Sequence, residues 1–279
     1  MREGNLRAIV SWIEDNLNEN IDAKMLEQIS GYSFRNILNI FKQYAGISPG
    51  RYIRQRRLCK AAYLLRLTDQ KIIDISYFLH FDSQQSFCRE FKKLFGYSPR
   101  SYRKVSYWDF TGLLPPYNPD KDYMVKVEFC TLQKRMLFGY SVHYDEAIQG
   151  RKNHVLRYDA IIRNLKYCQR DILMCTHHTP LPGSMEKCAA RLFIGVTGCS
   201  VDDSLLSKTY DCECGDYLKA EFKGTWEEYN RFAFFLYSNV LPAFKIKRRN
   251  GADIENFHFI ASEGEYEQIK CDYYIPVYK

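Results

Sequence analysis

Two similar stretches of sequence lie fifty positions apart: Phe41-Lys-Gln-Tyr-Ala-Gly-Ile-Ser-Pro-Gly-Arg-Tyr52 and Phe91-Lys-Lys-Leu-Phe-Gly-Tyr-Ser-Pro-Arg-Ser-Tyr102. Six positions are identical between the two stretches, and the pair Ser33 and Ser83 keeps the same offset. Seven identities in register exceed what chance supplies for two short windows. They therefore indicate a duplicated structural unit.

Each unit has the pattern of a helix, a tight turn and a second helix. Ser33 and Ser83 stand where an N-cap oxygen accepts hydrogen bonds from the first turn of a helix. Gly46 and Gly96 are predicted left-handed helix stops, and the proline three residues later opens the next helix. The second helices bury a common apolar face, formed by Ile37, Ile40, Phe41 and Tyr44 in one unit and Phe87, Phe91, Leu94 and Phe95 in the other. We predict two helix-turn-helix units within an all-α region of about seven helices.

The positive charge of the chain lies in the same region. The 279 residues hold 40 Lys and Arg against 33 Asp and Glu, a net charge of +7. Residues 1–107 hold 18 basic and 10 acidic residues, a net charge of +8. Residues 108–279 hold 22 basic and 23 acidic residues, a net charge of −1. A basic half indicates a nucleic acid or a membrane surface as partner. Two helix-turn-helix units favour double-stranded DNA, with a basic helical bundle that binds protein as the alternative.

The first residues of each second helix are expected to read base edges in the major groove. Asn and Gln side chains can pair with adenine, and Arg with guanine. The predicted base-contacting residues are Arg35, Asn36, Asn39, Gln84, Gln85, Ser86 and Arg89. The predicted phosphate-contacting residues are Lys42, Arg51, Arg54, Lys92 and Lys93. Two reading helices in one chain address groove faces roughly 34 Å apart, so a monomer can bind an asymmetric site.

A predicted linker at 108–121 divides the chain, because three prolines and a glycine there cannot continue a helix. It separates a DNA-binding domain, residues 1–107, from a second domain, residues 122–279. The second domain is expected to be α+β, an antiparallel sheet with two helices. Strands are predicted at 123–130, 136–142, 191–197, 217–223, 256–260 and 270–277, and helices at 158–168 and 225–240.

Aromatic residues are frequent in the second domain, and many are tyrosines, whose hydroxyl groups need a partner. They can line a cleft, with an ordinary aromatic core as the alternative. A cleft of this kind with a buried carboxylate suits lipophilic organic molecules, especially cations. The predicted effector-binding aromatic residues are Tyr140, Tyr217, Trp226, Tyr229 and Tyr273.

Several classes of protein are not expected. No apolar run is long enough for a transmembrane helix, and the polar N-terminus is not typical of a signal peptide, so we expect a cytoplasmic protein with free thiols and no membrane partner. Cys212-Glu-Cys214 and Cys175-Thr-His177-His178 lack the spacing of a metal site. No phosphate loop, dinucleotide fingerprint or nucleophile elbow occurs. We therefore expect no metal, no cofactor and no catalytic residues.

Residues 5–105 resemble the DNA-binding domain of the AraC/XylS family, most of all its MarA/SoxS/Rob branch. The stretches that carry the resemblance are Tyr52-Ile-Arg-Gln-Arg-Arg-Leu58 and Phe81-Asp-Ser-Gln-Gln-Ser-Phe-Cys-Arg-Glu-Phe-Lys-Lys-Leu-Phe95. The resemblance implies a bacterial activator that binds degenerate promoter boxes of stress and multidrug-resistance genes as a monomer and contacts RNA polymerase. It also implies association with the nucleoid. Arg35, Leu38 and Asn39 depart from the branch pattern, so the first half-site is expected to differ.

The second domain resembles the GyrI-like effector-binding domain. The resemblance is carried by Arg248-Arg-Asn-Gly-Ala-Asp-Ile-Glu-Asn-Phe257 and by a closing strand that ends Tyr274-Ile-Pro-Val277. It implies a lipophilic small-molecule effector and a glutamate in the pocket, for which Glu255 is the candidate. A surface carboxylate is the alternative for Glu255. A non-sensing interaction module and, less favoured, a small-molecule hydrolase are the alternatives for the domain.

Overall fold

The computed structural model describes residues 2–117, 125–148, 154–198, 208–259 and 268–278. Its first part is all-α, as predicted, with seven helices in the described residues. They are α1 (Arg2–Asp15), α2 (Ala23–Ser30), α3 (Phe34–Tyr44), α4 (Pro49–Leu67), α5 (Ile72–Phe78), α6 (Gln84–Phe95) and α7 (Pro99–Lys104). The two helix-turn-helix units are α2 with α3 and α5 with α6.

The N-caps of the two second helices differ. At α6 the Ser83 hydroxyl accepts a hydrogen bond from the Ser86 amide at 3.2 Å, as predicted. Ser33 occupies the N-cap position of α3, but its side chain makes no capping hydrogen bond. The Phe34 amide instead donates to Glu27 Oε1 at 2.6 Å. The predicted side-chain cap at Ser33 is therefore wrong, because a carboxylate on α2 satisfies the first free amide of α3.

Helix α4 joins the two units. It spans 19 residues, which is about 28 Å at 1.5 Å per residue. Gly46 and Gly96 have φ of 71° and 77°, so both take the left-handed conformation that the sequence predicts before Pro49 and Pro99. Because α4 packs on several sides, its buried residues do not form a single stripe. A long helix buried in this way holds the two units at a fixed separation.

Two hydrophobic clusters stabilise the helical part. The first encloses the first unit and consists of Leu6, Ile9, Val10, Ile13, Leu17, Leu26, Ile37, Ile40, Phe41, Tyr52 and Ile53. The second includes Phe87, Phe91, Phe95 and Tyr102 and continues through Trp108, Phe110 and Leu113 into the sheet of the second part. The second unit and the sheet therefore share one core.

The stretch predicted as a linker contributes to this shared core. Strand β1 (Tyr107–Asp109) pairs antiparallel with β8 (Lys247–Arg249). Trp108 and Phe110, 7% and 0% exposed, pack against Tyr237 of the second part. The chain between the two parts is thus packed against both of them.

The second part is α+β, as predicted, and every strand pair among its described residues is antiparallel. Its remaining strands are β2 (Val127–Leu132), β3 (Arg135–Ala147), β4 (Ile172–Pro180), β5 (Lys187–Thr197), β6 (Lys208–Cys212), β7 (Gly215–Gly224), β9 (Asp253–Phe257) and β10 (Ile269–Tyr278). Its helices are α8 (His154–Cys168), α9 (Trp226–Phe235) and α10 (Leu241–Ala243), with a π-helical turn over Leu236–Val240. The strand order is β1-β8-β10-β9-β4-β5-β3-β6, and β7 pairs with both β10 and β2.

Strands β1, β4, β6 and β8 have no counterpart among the predicted strands, and β1 and β8 have only three residues each. Strand β4 lies between β9 and β5, and its first five residues are buried, so the sequence lacks the alternation of a half-buried strand. Strand β6 has only five residues and, within the described ranges, pairs only with β3. The predicted strand positions Tyr123, Met124 and Ile260 lie outside the described residues. None of the helices in the described ranges is long and apolar enough to span a bilayer.

Candidate DNA-reading surface and effector site

The first turns of α3 and α6 present most of the predicted base-contacting residues to solvent. Exposed side chains there are Arg35, Asn39, Gln84, Gln85 and Arg89, while Asn36 and Ser86 are half-buried. Opposite them, Ile37, Ile40, Phe87 and Phe91 lie in the core. The helical period thus separates a buried apolar face from a polar face that can enter a major groove.

Four of the predicted phosphate-contacting residues, Lys42, Arg51, Lys92 and Lys93, are exposed. Arg54 is placed differently. Its Nη2 donates to Glu90 Oε1 at 2.6 Å and to the Ser86 hydroxyl at 3.2 Å, and its Nε also pairs with Glu90. The hydrogen bond from Arg54 lowers the pKa of Glu90. Arg54 therefore connects α4 to the second reading helix.

Two further arginines of α4 hold α1 and the turn that follows it. Arg56 is 3% exposed and its Nε donates to Glu14 Oε1 at 2.8 Å. Arg57 donates to the carbonyl oxygens of Leu17 and Glu19 at 3.0 and 2.6 Å. The basic residues of α4 thus serve packing as well as charge.

The predicted effector residues lie on both faces of the sheet. Tyr140, Trp226, Tyr229, Glu255 and Tyr273 belong to the face that carries the helices. Tyr217 is fully buried in the cluster on the opposite face, and its hydroxyl donates to the Glu213 carbonyl at 3.2 Å. The fold brings five of the six residues to one face and leaves Tyr217 apart.

Glu255 lies at the centre of a buried polar network. Both of its oxygens accept from Arg157 Nη2 at 2.5 Å, and the Tyr229 hydroxyl donates to Oε2 at 2.5 Å. Glu255 and Arg157 are 0% and 1% exposed. Glu255 is therefore a buried carboxylate and not the surface carboxylate that was its alternative interpretation. Burial opposes the charge of Arg157, but the Glu255 carboxylate raises its pKa well above the ordinary value.

Aromatic rings surround this ion pair. Trp226 stacks on Tyr229 with ring centroids 5.4 Å apart, and Tyr158 of α8 packs on Trp226 at the same distance. The Tyr140 hydroxyl accepts from Asn164 at 2.8 Å. Trp226 and Tyr140 are half-buried, so they form the outer part of the site.

The start of α9 fixes where Trp226 and Tyr229 stand. The Thr225 hydroxyl accepts from the Glu228 amide at 3.3 Å, and Glu228 Oε2 accepts from the Thr225 amide at 2.7 Å. This is the capping box that the sequence predicts. It begins the helix at Trp226, which places Trp226 and Tyr229 one turn apart on the face toward the sheet.

Tyr273 belongs to a second carboxylate cluster on the same face. Its hydroxyl donates to Asp253 at 2.8 Å, and the Tyr237 hydroxyl donates to the same carboxylate at 2.7 Å. Arg248 Nη2 completes the cluster at 2.9 Å from Asp253. The two buried carboxylates of β9 thus hold separate sets of partners.

Arg157 is the residue that sequence reasoning missed. The predicted apolar face of α8 begins one position later, at Tyr158. Four-residue spacing places Arg157 on the same helix face as Ile161 and Leu165, and all three are buried. An arginine at this spacing from apolar residues was the sequence signal that could have identified it.

In the described part of the chain, no group of three His, Cys, Asp or Glu residues is placed to hold a metal ion. Cys212 is buried while Cys214 is exposed, so the two thiols do not converge. All cysteines of the described ranges are free thiols.

Comparison with protein families matches both parts. A helix-turn-helix domain model matches residues 26–105, and the model of the GyrI-like small molecule binding domain matches residues 126–278.

Three relatives align over 73% to 100% of this chain, which includes residues of both parts. The F1 operon positive regulatory protein of Yersinia pestis is 31% identical over 100% of this chain and 89% of its own length. The right origin-binding protein of Escherichia coli K12 is 28% identical over 98% of each chain. The putative HTH-type transcriptional regulator YkgA of the same organism is 37% identical over 73% of this chain and 86% of its own. The chain therefore belongs to the AraC/XylS family of DNA-binding transcriptional regulators and carries a GyrI-like domain after its helix-turn-helix domain.

Proposed function

We propose that this regulator activates transcription by binding an asymmetric promoter site as a single chain, with α3 and α6 in successive major-groove turns. The observation that carries the proposal is the rigid connection of two exposed reading surfaces. Helix α4 joins them, and Arg54 ties α4 to Glu90 of α6. Activation is supported by the similarity to a positive regulatory protein. The family resemblance supports three further parts of the proposal: contact with RNA polymerase, stress or multidrug-resistance genes as targets, and a cytoplasmic, nucleoid-associated location.

A footprint of the full chain without polymerase tests the DNA part of the proposal. Two protected regions about one helical turn apart are expected, each facing one reading helix. Sedimentation of the complex should give one protein per DNA duplex. Protection of a single half-site, or two chains on a symmetric site, would contradict monomeric reading of an asymmetric box.

The second part of the proposal is that a lipophilic small molecule binds beside Glu255 and modulates activation. Tyr140, Trp226 and Tyr229 supply aromatic surface next to a buried ion pair. Because Arg157 neutralises Glu255, a lipophilic cation has to displace this arginine, whereas a neutral or anionic molecule does not. The domain model describes a small molecule binding domain.

Calorimetry of the full chain against a lipophilic cation, a bile acid and a fatty acid tests this part. We expect saturable binding of at least one, weakened by Trp226→Ala. Tyr217→Phe is the matched control, because Tyr217 lies on the opposite face of the sheet. Failure of all three to bind would favour a non-sensing interaction module.

A further inference from the structure

A cavity of about 300 Å³ lies between α4 and the helix-bearing face of the sheet. The lining residues from α4 are Tyr63, Arg66 and Leu67, and Trp108 of β1 also lines the cavity. The sheet and α9 supply the remaining walls. Of the predicted effector residues only Tyr273 borders it, so this cavity is separate from the site beside Glu255.

Aromatic rings form much of the lining. The Tyr63 and Trp108 ring centroids are 5.3 Å apart in an edge-to-face arrangement, and Trp108 lies 6.1 Å from Tyr237. Phe234 of α9 also lines the cavity. Such walls fit a flat apolar body, and the volume is at the lower end of the range of roughly 300–1,000 Å³ typical of small-molecule sites.

The ionic groups on the sheet side of the cavity already have partners. Asp253 pairs with Arg248 at 2.9 Å, and Glu146 Oε2 lies 2.6 Å from His178 Nε2. Arg248 also donates to the Tyr237 hydroxyl and to the Gly251 carbonyl, each at 2.9 Å. The polar groups named on this side of the cavity are therefore already bonded to other protein groups.

The α4 side differs, because it holds hydrogen-bond donors with capacity left. The Tyr63 side chain is 5% exposed, and its hydroxyl has no hydrogen-bond partner in the described residues. Within the described residues, Arg66 donates its hydrogen bonds from Nη1, to the carbonyl oxygens of residues 102, 103 and 105 at 3.1, 3.2 and 2.8 Å. In the part of the chain that the structure describes, Nε and Nη2 of Arg66 make no hydrogen bond to the protein. Tyr63 and Arg66 are three residues apart and share one helix face.

We propose that this cavity is a second small-molecule site, and that it binds a compact aromatic carboxylate. The ring packs among Trp108, Phe234 and Tyr237, and the carboxylate accepts from the Tyr63 hydroxyl and from Arg66. A carboxylate is the acceptor that best matches a donor pair carrying one positive charge. The bound molecule would join α4, which carries both reading helices, to the sheet. The site does not depend on the effector proposed beside Glu255.

Calorimetry of the full chain with three isosteric probes tests this site: 2-naphthoate, naphthalene-2-carboxamide and 2-naphthylmethylammonium. We expect 2-naphthoate to bind best and the ammonium probe least. Tyr63→Phe should weaken 2-naphthoate about three- to tenfold, because one buried hydrogen bond is lost. Arg66→Gln should weaken it at least about tenfold, because the bond to the carboxylate loses its charge. Circular dichroism checks that each variant is folded.

Tyr229→Phe is the matched control, because it removes one hydroxyl from the Glu255 network and none from the cavity. If Tyr229→Phe binds 2-naphthoate as well as the unmodified protein does, the result supports the second small-molecule site in the cavity. Weakening by Tyr229→Phe but not by Tyr63→Phe would place the probe beside Glu255 and overturn the second site, while leaving the proposed function intact. Preference for the ammonium probe, or binding of none of the three, would also overturn it.

Discussion

Arg89 is exposed on the first turns of α6, where an arginine can reach a guanine edge. Arg89→Ala should weaken binding to the preferred promoter site by about 1–3 kcal/mol and relax the preference at one base pair. Fluorescence anisotropy with a set of singly substituted duplexes measures both effects.

Lys92 is a matched control on the same helix, because it is exposed and predicted to contact phosphate. Lys92→Ala should weaken binding to all sequences alike. It should also reduce, by about 1, the slope of the logarithm of the binding constant against the logarithm of the salt concentration. If Arg89→Ala behaved in this uniform way, Arg89 would be a phosphate contact and the assignment of α6 as a base reader would lose its main support.

The Arg157–Glu255 pair leads to a prediction about stability. Glu255→Gln leaves the arginine charge buried without a balancing carboxylate, which should destabilise the protein by about 3–5 kcal/mol. Urea unfolding followed by circular dichroism measures the loss. Glu221→Gln is the control, since that carboxylate is exposed and pairs with Lys126 and Lys219 at the surface.

The double variant Arg157→Met with Glu255→Gln tests whether the unbalanced charge of Arg157 causes the loss of stability in Glu255→Gln. Because no charge is then left buried, it should recover much of the stability lost in the single variant. A Glu255→Gln protein as stable as the unmodified one would show that the pair is not desolvated as the structure indicates.

At the scale of the elements, strands β3 and β5 of the sheet carry a pair of glycines that face each other. Gly139 lies opposite Gly195, and a Cβ added at Gly139 would stand 1.8 Å from the Ile194 carbonyl oxygen. Because that neighbour is backbone, the strands have to move apart. Gly139→Ala should therefore cost about 3 kcal/mol in the free energy of unfolding.

Gly50→Ala provides the comparison within a helix. No atom lies within 4 Å of an added Cβ at Gly50, which stands in the first turn of α4. This variant should be neutral or stabilise by up to about 1 kcal/mol. Equal stability of the two variants in the same urea series would contradict the close approach of β3 and β5.

At the level of the whole molecule, Phe110 joins the helical part to the sheet. It is fully buried and contacts Trp108 and Tyr237 at ring centroid distances of 4.9 and 5.6 Å. Phe110→Ala should destabilise the protein by about 3–5 kcal/mol and separate one unfolding transition into two. Calorimetric scans show whether the two parts unfold together.

Phe244→Ala tests whether that effect belongs to the shared core. Phe244 is 52% exposed, so its removal should change the unfolding temperature little. Two transitions in the unmodified protein would mean that the two parts unfold independently despite their common cluster.

Local sequence predicted the elements whose signals lie within a few residues. The seven helices, the stops at Gly46 and Gly96 and the capping box at Thr225 each depend on neighbours within one turn. The repeat at an offset of fifty placed both reading helices, because a duplicated unit repeats its buried face and its exposed face together. Strand β4 escaped prediction because burial on both faces removes the alternation that marks a strand.

The two helix-turn-helix units, the α+β class of the second part and the location of the positive charge thus follow from the order of residues along the chain. Three features emerge only when the chain is folded: Arg157 neutralises Glu255, Tyr217 faces away from Trp226, and Tyr63 and Arg66 border a cavity with the sheet. The physical reason is separation along the chain. Arg157 and Glu255 are 98 residues apart, and periodicity within one helix or strand carries no information about which side chain a distant strand places opposite it.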